Sequence, residues 1–174
     1  MNKLGLRQTI ALTLSSIAIA LSLTHASACH AVERADAVLV KKAERSLYLL
    51  REGQVLKHYK IMLGPKPKGP KLMEGDERTP EGHYTLDRKN PNSRFYKSIR
   101  VSYPNAFDIE RAQKYNVDPG NWIMIHGMKN SWNEKTKKQA QKFNWTDGCI
   151  AVADNDMDEI WEAVEVGTPI EIQP

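Results

Sequence analysis

Between Gly64 and Gly82 the chain carries four prolines and four glycines. Proline removes a backbone donor and fixes φ, and glycine frees φ at an entropic cost, so a stretch this dense in both can be neither helix nor inner strand. It is predicted as loop, ending in Thr79-Pro80-Glu81-Gly82 just before a strand at His83–Leu86. Regular structure must be built on either side of it. Upstream, Val38–Val40, Ser46–Leu50 and Val55–Leu63 are β-type runs, the last two joined by the polar turn Arg51-Glu52-Gly53-Gln54, which gives a hairpin-rich start. Downstream, a second loop at Pro91 precedes a strand at Phe95–Val101, then a short helix at Asp108–Tyr115 and a buried-type strand at Trp122–Ile125.

Ser131-Trp132-Asn133-Glu134 has the S-x-x-E form of a capping box, so a helix is expected from there to about Phe143. Its lysines at 135, 137, 138 and 142 form no single stripe; they read as a solvated face, with a substrate-gripping lid as the sharper alternative. Asp154 is expected to cap a further helix whose Met157, Ile160, Trp161 and Val164 recur at helical spacing and face the core. Gly167 ends it, and Pro169–Ile172 closes the chain as a strand. The fold class is mostly β with about three short helices. At 174 residues, 41% apolar and 26% charged, the chain suits one soluble globular domain that needs no disulfide staple.

The N-terminus is set apart. Lys3 and Arg7 precede an apolar run at Ile10–Leu23, which is followed by Ala26-Ser27-Ala28, the three-part pattern of a secretory signal peptide. Residues 1–28 are therefore expected to be a signal peptide, 29–36 a linker and 37–174 the catalytic domain, placing the protein in the periplasm or cell envelope. Ala26-Ser27-Ala28-Cys29 also resembles a lipoprotein processing box, so lipid anchoring at Cys29 is the alternative to a soluble exported form. After residue 28, 23 basic residues stand against 21 acidic ones, a charge of about +2. That is too weak for a nucleic-acid partner, which needs a concentrated basic face. His30, His58, His83 and His126 show no zinc-type spacing, so no metal and no cofactor is expected.

Two residues carry the chemistry. Cys149 follows Trp145-Thr146-Asp147-Gly148, where the glycine permits a tight turn that can expose a sulfur. Taken alone, the segment reads first as a buried cysteine acting as a small hydrophobe, the commonest fate of a free cysteine. His126 ends an apolar strand and is followed by Gly127, a junction where rigid elements present catalytic groups; a structural histidine is the bland reading. Together they are more informative, because a thiol needs deprotonation and a neighbouring imidazole can take the proton.

Ile125-His126-Gly127, followed at a distance by Thr146-Asp147-Gly148-Cys149-Ile150, resembles the signature of the L,D-transpeptidase catalytic domain, also called the YkuD domain. Thr79-Pro80-Glu81-Gly82 and Gly167-Thr168-Pro169 resemble the same family, so the likeness covers about residues 36–174. The resemblance implies a β-sandwich or barrel and an exported cysteine acyl-transferase. It implies Cys149 as nucleophile, His126 as base, and backbone around Gly148, Cys149 and Gly127 as oxyanion donors or imidazole orienter. The substrate implied is the peptidoglycan tetrapeptide stem, which loses its terminal D-alanine to a Cys149 thioester. A second stem, an outer-membrane lipoprotein or a free D-amino acid would be the acceptor. A hydrolase on the same bond type (an L,D-carboxypeptidase or lipoprotein–wall amidase) and a non-catalytic wall-binding module are the alternatives. A monomer is expected.

The sequence departs from that family at two places. Asp147 stands where His or Asn is usual, and Ala151 where Arg or Asn is common. Asp147, Thr146, Trp145 and Arg78 are candidate substrate contacts, with Arg78 or Lys129 standing in for the absent arginine. Trp122 and Trp132 are expected as core or loop anchors.

Overall fold

The computed structural model describes residues 33–174; the expected signal segment and Cys29 lie outside the described residues. The chain opens as an antiparallel meander of β1 (Ala37–Lys41), β2 (Ser46–Arg51) and β3 (Gln54–Lys60). Strict alternation drives it: Val38, Val40, Leu47 and Leu49 face inward with at most 1% exposure, while their neighbours face out. Within the expected linker, Ala35 is already buried, and its N–H donates to Ala163 O at 2.9 Å. The third strand stops at Lys60 rather than Leu63, because Met62 leaves it to bridge Ala151.

A 12-residue strand, β4 (Gly82–Ser93), organises the rest. Its first four residues pair with the closing strand β8 (Pro169–Gln173), which also runs parallel to β1. Its second half pairs with β5 (Tyr96–Val101). The change of partner falls at a register shift between Leu86 and Arg88, where a bulge bends the strand. The strand runs straight through Pro91, where the sequence predicts a loop. Pro91 sits exposed inside a second irregularity between Asn90 and Ser93, where no ladder donor is missed.

Two short strands, β6 (Met124–His126) and β7 (Ile150–Ala151), complete an eight-stranded sheet ordered β3-β2-β1-β8-β4-β5-β6-β7. The strand expected at 122–125 starts two residues later: Trp122 is 57% exposed with φ +61 and cannot join it.

Three helices accompany the strands, and only the last packs closely on them. The first, α1 (Ala106–Lys114), is opened by a capping box between Asn105 and Asp108. The second, α2 (Glu134–Ala140), is capped by Asn133, whose side chain accepts from Thr136 N–H, and not by Ser131. It buries no residue. The third, α3 (Asp154–Ala163), packs Met157 and Ile160 into the core. Asp154 caps nothing there; its carboxylate accepts from Met128 N–H at 2.7 Å and from Lys137 Nζ at 2.8 Å, tying down the segment that follows His126.

The Pro/Gly-rich loop has no regular structure, yet it is pinned. Lys42, 2% exposed, donates to Gly69 O, Thr79 O and Glu81 Oε1 at 2.8–2.9 Å. Asp76 accepts from the N–H groups of Leu72, Met73 and Arg78 and from Lys71 Nζ. Burial alone would raise the Asp76 pKa, but these donors hold it below the usual carboxylate range.

Candidate active site

His126 ends β6, and Cys149 immediately precedes β7, the parallel neighbour in which Ala151 is in register with His126. Adjacent strands lie about 4.8 Å apart. Both residues line one cleft of about 880 Å³. The register sets Cys149 level with Met124, two residues before His126, so the topology brings to one cleft two residues far apart in sequence.

The imidazole is 3% exposed, and its Nδ1 lies 2.7 Å from Gly127 O. A carbonyl can only accept, so Nδ1 carries the proton and Nε2 is left with its lone pair. Phe95 packs against the ring at 4.6 Å between centroids and Trp145 at 5.7 Å. Burial lowers the His126 pKa to about 4, against a small upward pull from the Gly127 bond.

Cys149 is half-buried, and its Sγ donates to Trp122 O at 3.5 Å. Burial raises the thiol to about 11; the Met124 N–H and the Lys71 charge pull it down, and Asp147 pushes it up. Both shifts run toward the uncharged forms, a thiol and a neutral imidazole. That differs from the preformed ion pair a His–Cys pairing can give.

The loop that presents the sulfur is braced from behind. Gly148 has φ +118, and a Cβ there would stand 2.5 Å from Arg78 O, so the position needs glycine on both counts. Thr79 Oγ1 donates to Gly148 O at 2.8 Å, and Thr146 Oγ1 donates to Cys149 O at 2.7 Å. Gly127 is equally constrained, since a Cβ would meet Asp154 Oδ1 at 2.6 Å and Tyr96 Cβ at 2.8 Å.

Several expected roles change on these contacts. The Gly148 N–H donates to Thr146 Oγ1 at 3.3 Å, so what this residue supplies is backbone shape. Gly127 keeps the expected place of imidazole orienter: its carbonyl faces His126 Nδ1, while its N–H is bonded to Lys97 O at 3.2 Å. Thr146 lines the cleft, but its hydroxyl is committed to the loop. Arg78 does not line the cleft: its carbonyl backs Gly148 and its guanidinium lies toward Gly69. Asp147 is exposed at the cleft and Trp145 forms its wall, next to Trp132 at 4.8 Å. Trp122 and Trp132, expected as anchors, line it too. Sequence reasoning missed Phe95 and Lys71, because neither falls in a motif; only the sheet order and the loop bring them to the cleft.

The L,D-transpeptidase catalytic-domain (YkuD) model matches residues 35–172, which takes in both strands and the whole cleft. The chain belongs to the L,D-transpeptidase catalytic-domain family. Among relatives of this family, the protein named "Putative L,D-transpeptidase YafK" of Escherichia coli K12 is 35% identical over 133 residues, covering 73% of this chain and 46% of that protein. The fold resembles the helical cell shape determining protein Pgp2 of Campylobacter jejuni, with TM-score 0.56 and 26% identity over 78% of this chain and 46% of that one. It also resembles an L,D-transpeptidase from Mycobacterium smegmatis, with TM-score 0.51 and 16% identity over 79% of this chain and 58% of that one. The chain thus spans just under half the length of the YafK and Pgp2 proteins it matches. The mostly β architecture with three helices is that of L,D-transpeptidases.

Proposed function

We propose that this chain is an exported thiol acyl-transferase acting on peptidoglycan stem peptides, with Cys149 as nucleophile and His126 as its base. The observation that carries the reading is the shared cleft: an imidazole locked by Gly127 O so that its Nε2 is the free nitrogen, on the strand next to the one that follows the sulfur. Phe95 and Trp145 pack against His126 and keep the imidazole almost wholly out of solvent.

The chemistry follows from two neutral partners. As a donor peptide enters, the Sγ–H bond turns from Trp122 O to Nε2, and the sulfur attacks the carbonyl ahead of the terminal D-residue while its proton passes to His126. The C–S bond forms and the oxyanion is met by backbone N–H, for which we assign Cys149, since the Gly148 N–H is taken. The imidazolium then gives its proton to the departing amine, the C–N bond breaks, and a thioester remains. An incoming amine reverses these steps: His126 takes its proton, the new amide forms, and Cys149 leaves as a thiol. A second stem's amine gives a cross-link, a lipoprotein lysine an anchor, a free D-amino acid exchange, and water a carboxypeptidase. The signal-like N-terminus supports action outside the cytoplasm.

Intact mass after incubation with a carbapenem or a tetrapeptide muropeptide tests this directly. A single adduct on the wild type, absent from Cys149→Ser and His126→Ala, is expected. Near-wild-type acylation of either variant rejects the residue assignment, and the absence of any adduct on the wild type favours a non-catalytic wall-binding module. Product analysis then separates the acceptors: tripeptide alone means hydrolysis, and dimer or exchanged stem means transfer.

A further inference from the structure

Lys71 is a buried cation in the wall of the cleft, and the steps above do not use it. Its side chain is 4% exposed. Two acceptors fix its ammonium, Asp76 Oδ1 at 2.8 Å and Met73 O at 3.0 Å. An ammonium has three donors, so one remains. Asp76 is itself immobilised by three backbone N–H groups, and the segment continues through Arg78 and Thr79 to the back of Gly148. The ammonium is thus held in fixed relation to the nucleophile loop, and its charge reaches the sulfur. The other cations of the cleft, Arg94 and Lys129, are exposed and carry no such bracing. Ala151 is fully buried beside Met62 and Met128 and brings no charge.

We propose that Lys71 binds the terminal carboxylate of the acyl-donor peptide. This rests on the acyl-transferase reading above. In a donor cleaved one residue from its end, the free carboxylate lies within roughly 4 Å of the reacting carbonyl carbon, and one more residue would move it about 3.5 Å farther. A single rigid cation near the sulfur therefore both anchors the donor and measures how many residues follow the scissile bond.

The test compares acylation of Cys149, by intact mass over time, with tetrapeptide donors ending in a carboxylate or in a carboxamide. The wild type should prefer the acid by about 10- to 100-fold, the range of a charge-assisted hydrogen bond. Lys71→Met should lose that factor on the acid, keep its rate on the amide, and show a preference near one. Because Lys71→Met strands the buried Asp76 carboxylate, the double variant Lys71→Gln/Asp76→Asn provides a neutral pair with the same expected collapse. A wild type that does not distinguish acid from amide overturns the proposal. So does a variant that keeps the wild-type preference, or one whose rates on both donors fall by an equal factor, which would mark Lys71 as structural. Absence of any adduct on the wild type, carbapenem included, would instead remove the acyl-transferase reading itself.

Discussion

Thr79 Oγ1 donates a 2.8 Å hydrogen bond to the carbonyl of Gly148, joining the Pro/Gly-rich loop to the turn that carries Cys149. Thr79 is fully buried, so the bond has no water to replace it. Thr79→Val keeps the shape and leaves that carbonyl unpaired, which should cost ~1–3 kcal/mol. Denaturant unfolding should show the loss, and the acylation rate of Cys149 should drop with it.

Gly148→Ala should be the more severe change. It forces a side chain into φ +118 and drives a Cβ against Arg78 O. The turn must shift, and the sulfur with it. Acylation should vanish in a protein whose circular dichroism remains β-rich; an active Gly148→Ala would contradict the bracing.

The thiol should behave as an uncharged group. With its pKa raised to about 11, the alkylation rate by iodoacetamide should be low at pH 7 and still climbing above pH 9. A plateau below pH 8 would indicate a resting thiolate–imidazolium pair instead.

His126 gives the opposite pH signature. Its folded pKa of about 4 lies below the unfolded value of about 6.5, so between the two the unfolded chain binds more protons. The native state therefore has its full advantage above pH 6.5 and loses it as pH falls through 4, on the order of 3 kcal/mol. Unfolding free energies at pH 4 to 7 should show that slope in the wild type and not in His126→Gln.

Lys42→Met should destabilise the protein by ~3–5 kcal/mol, because Glu81 and two carbonyls lose a buried cation. Adding Glu81→Gln should recover part of the loss. Urea midpoints of the two variants make the comparison.

The amino-acid pattern was most legible where one rule acted alone. The opening hairpins follow period-two burial, and α3 follows its helical stripe. Cys149 and His126, which the structure places on one cleft, stand out in the sequence because such residue types are rare and their motif is local. Pro91 misled because a proline breaks an inner strand but not a bulge, and the bulge is a property of pairing with β5. Ser131 misled because Asn133, two positions on, is an equally good cap, and the backbone chose it. Arg78 and Lys71 lie in the same loop, and nothing in their spacing says which one the loop turns toward the sulfur. That is decided by Asp76, which gathers Lys71 to itself while three N–H donors wrap it.

The hydrogen bond from Cys149 Sγ to Trp122 O has a bearing on chemical durability. Thiolates attack peroxides and stray disulfides, and a sulfur held protonated against a carbonyl is a poor nucleophile toward either. On the proposed reading, a cysteine resting in this way would be spared by oxidants and would become nucleophilic only while a donor occupies the cleft.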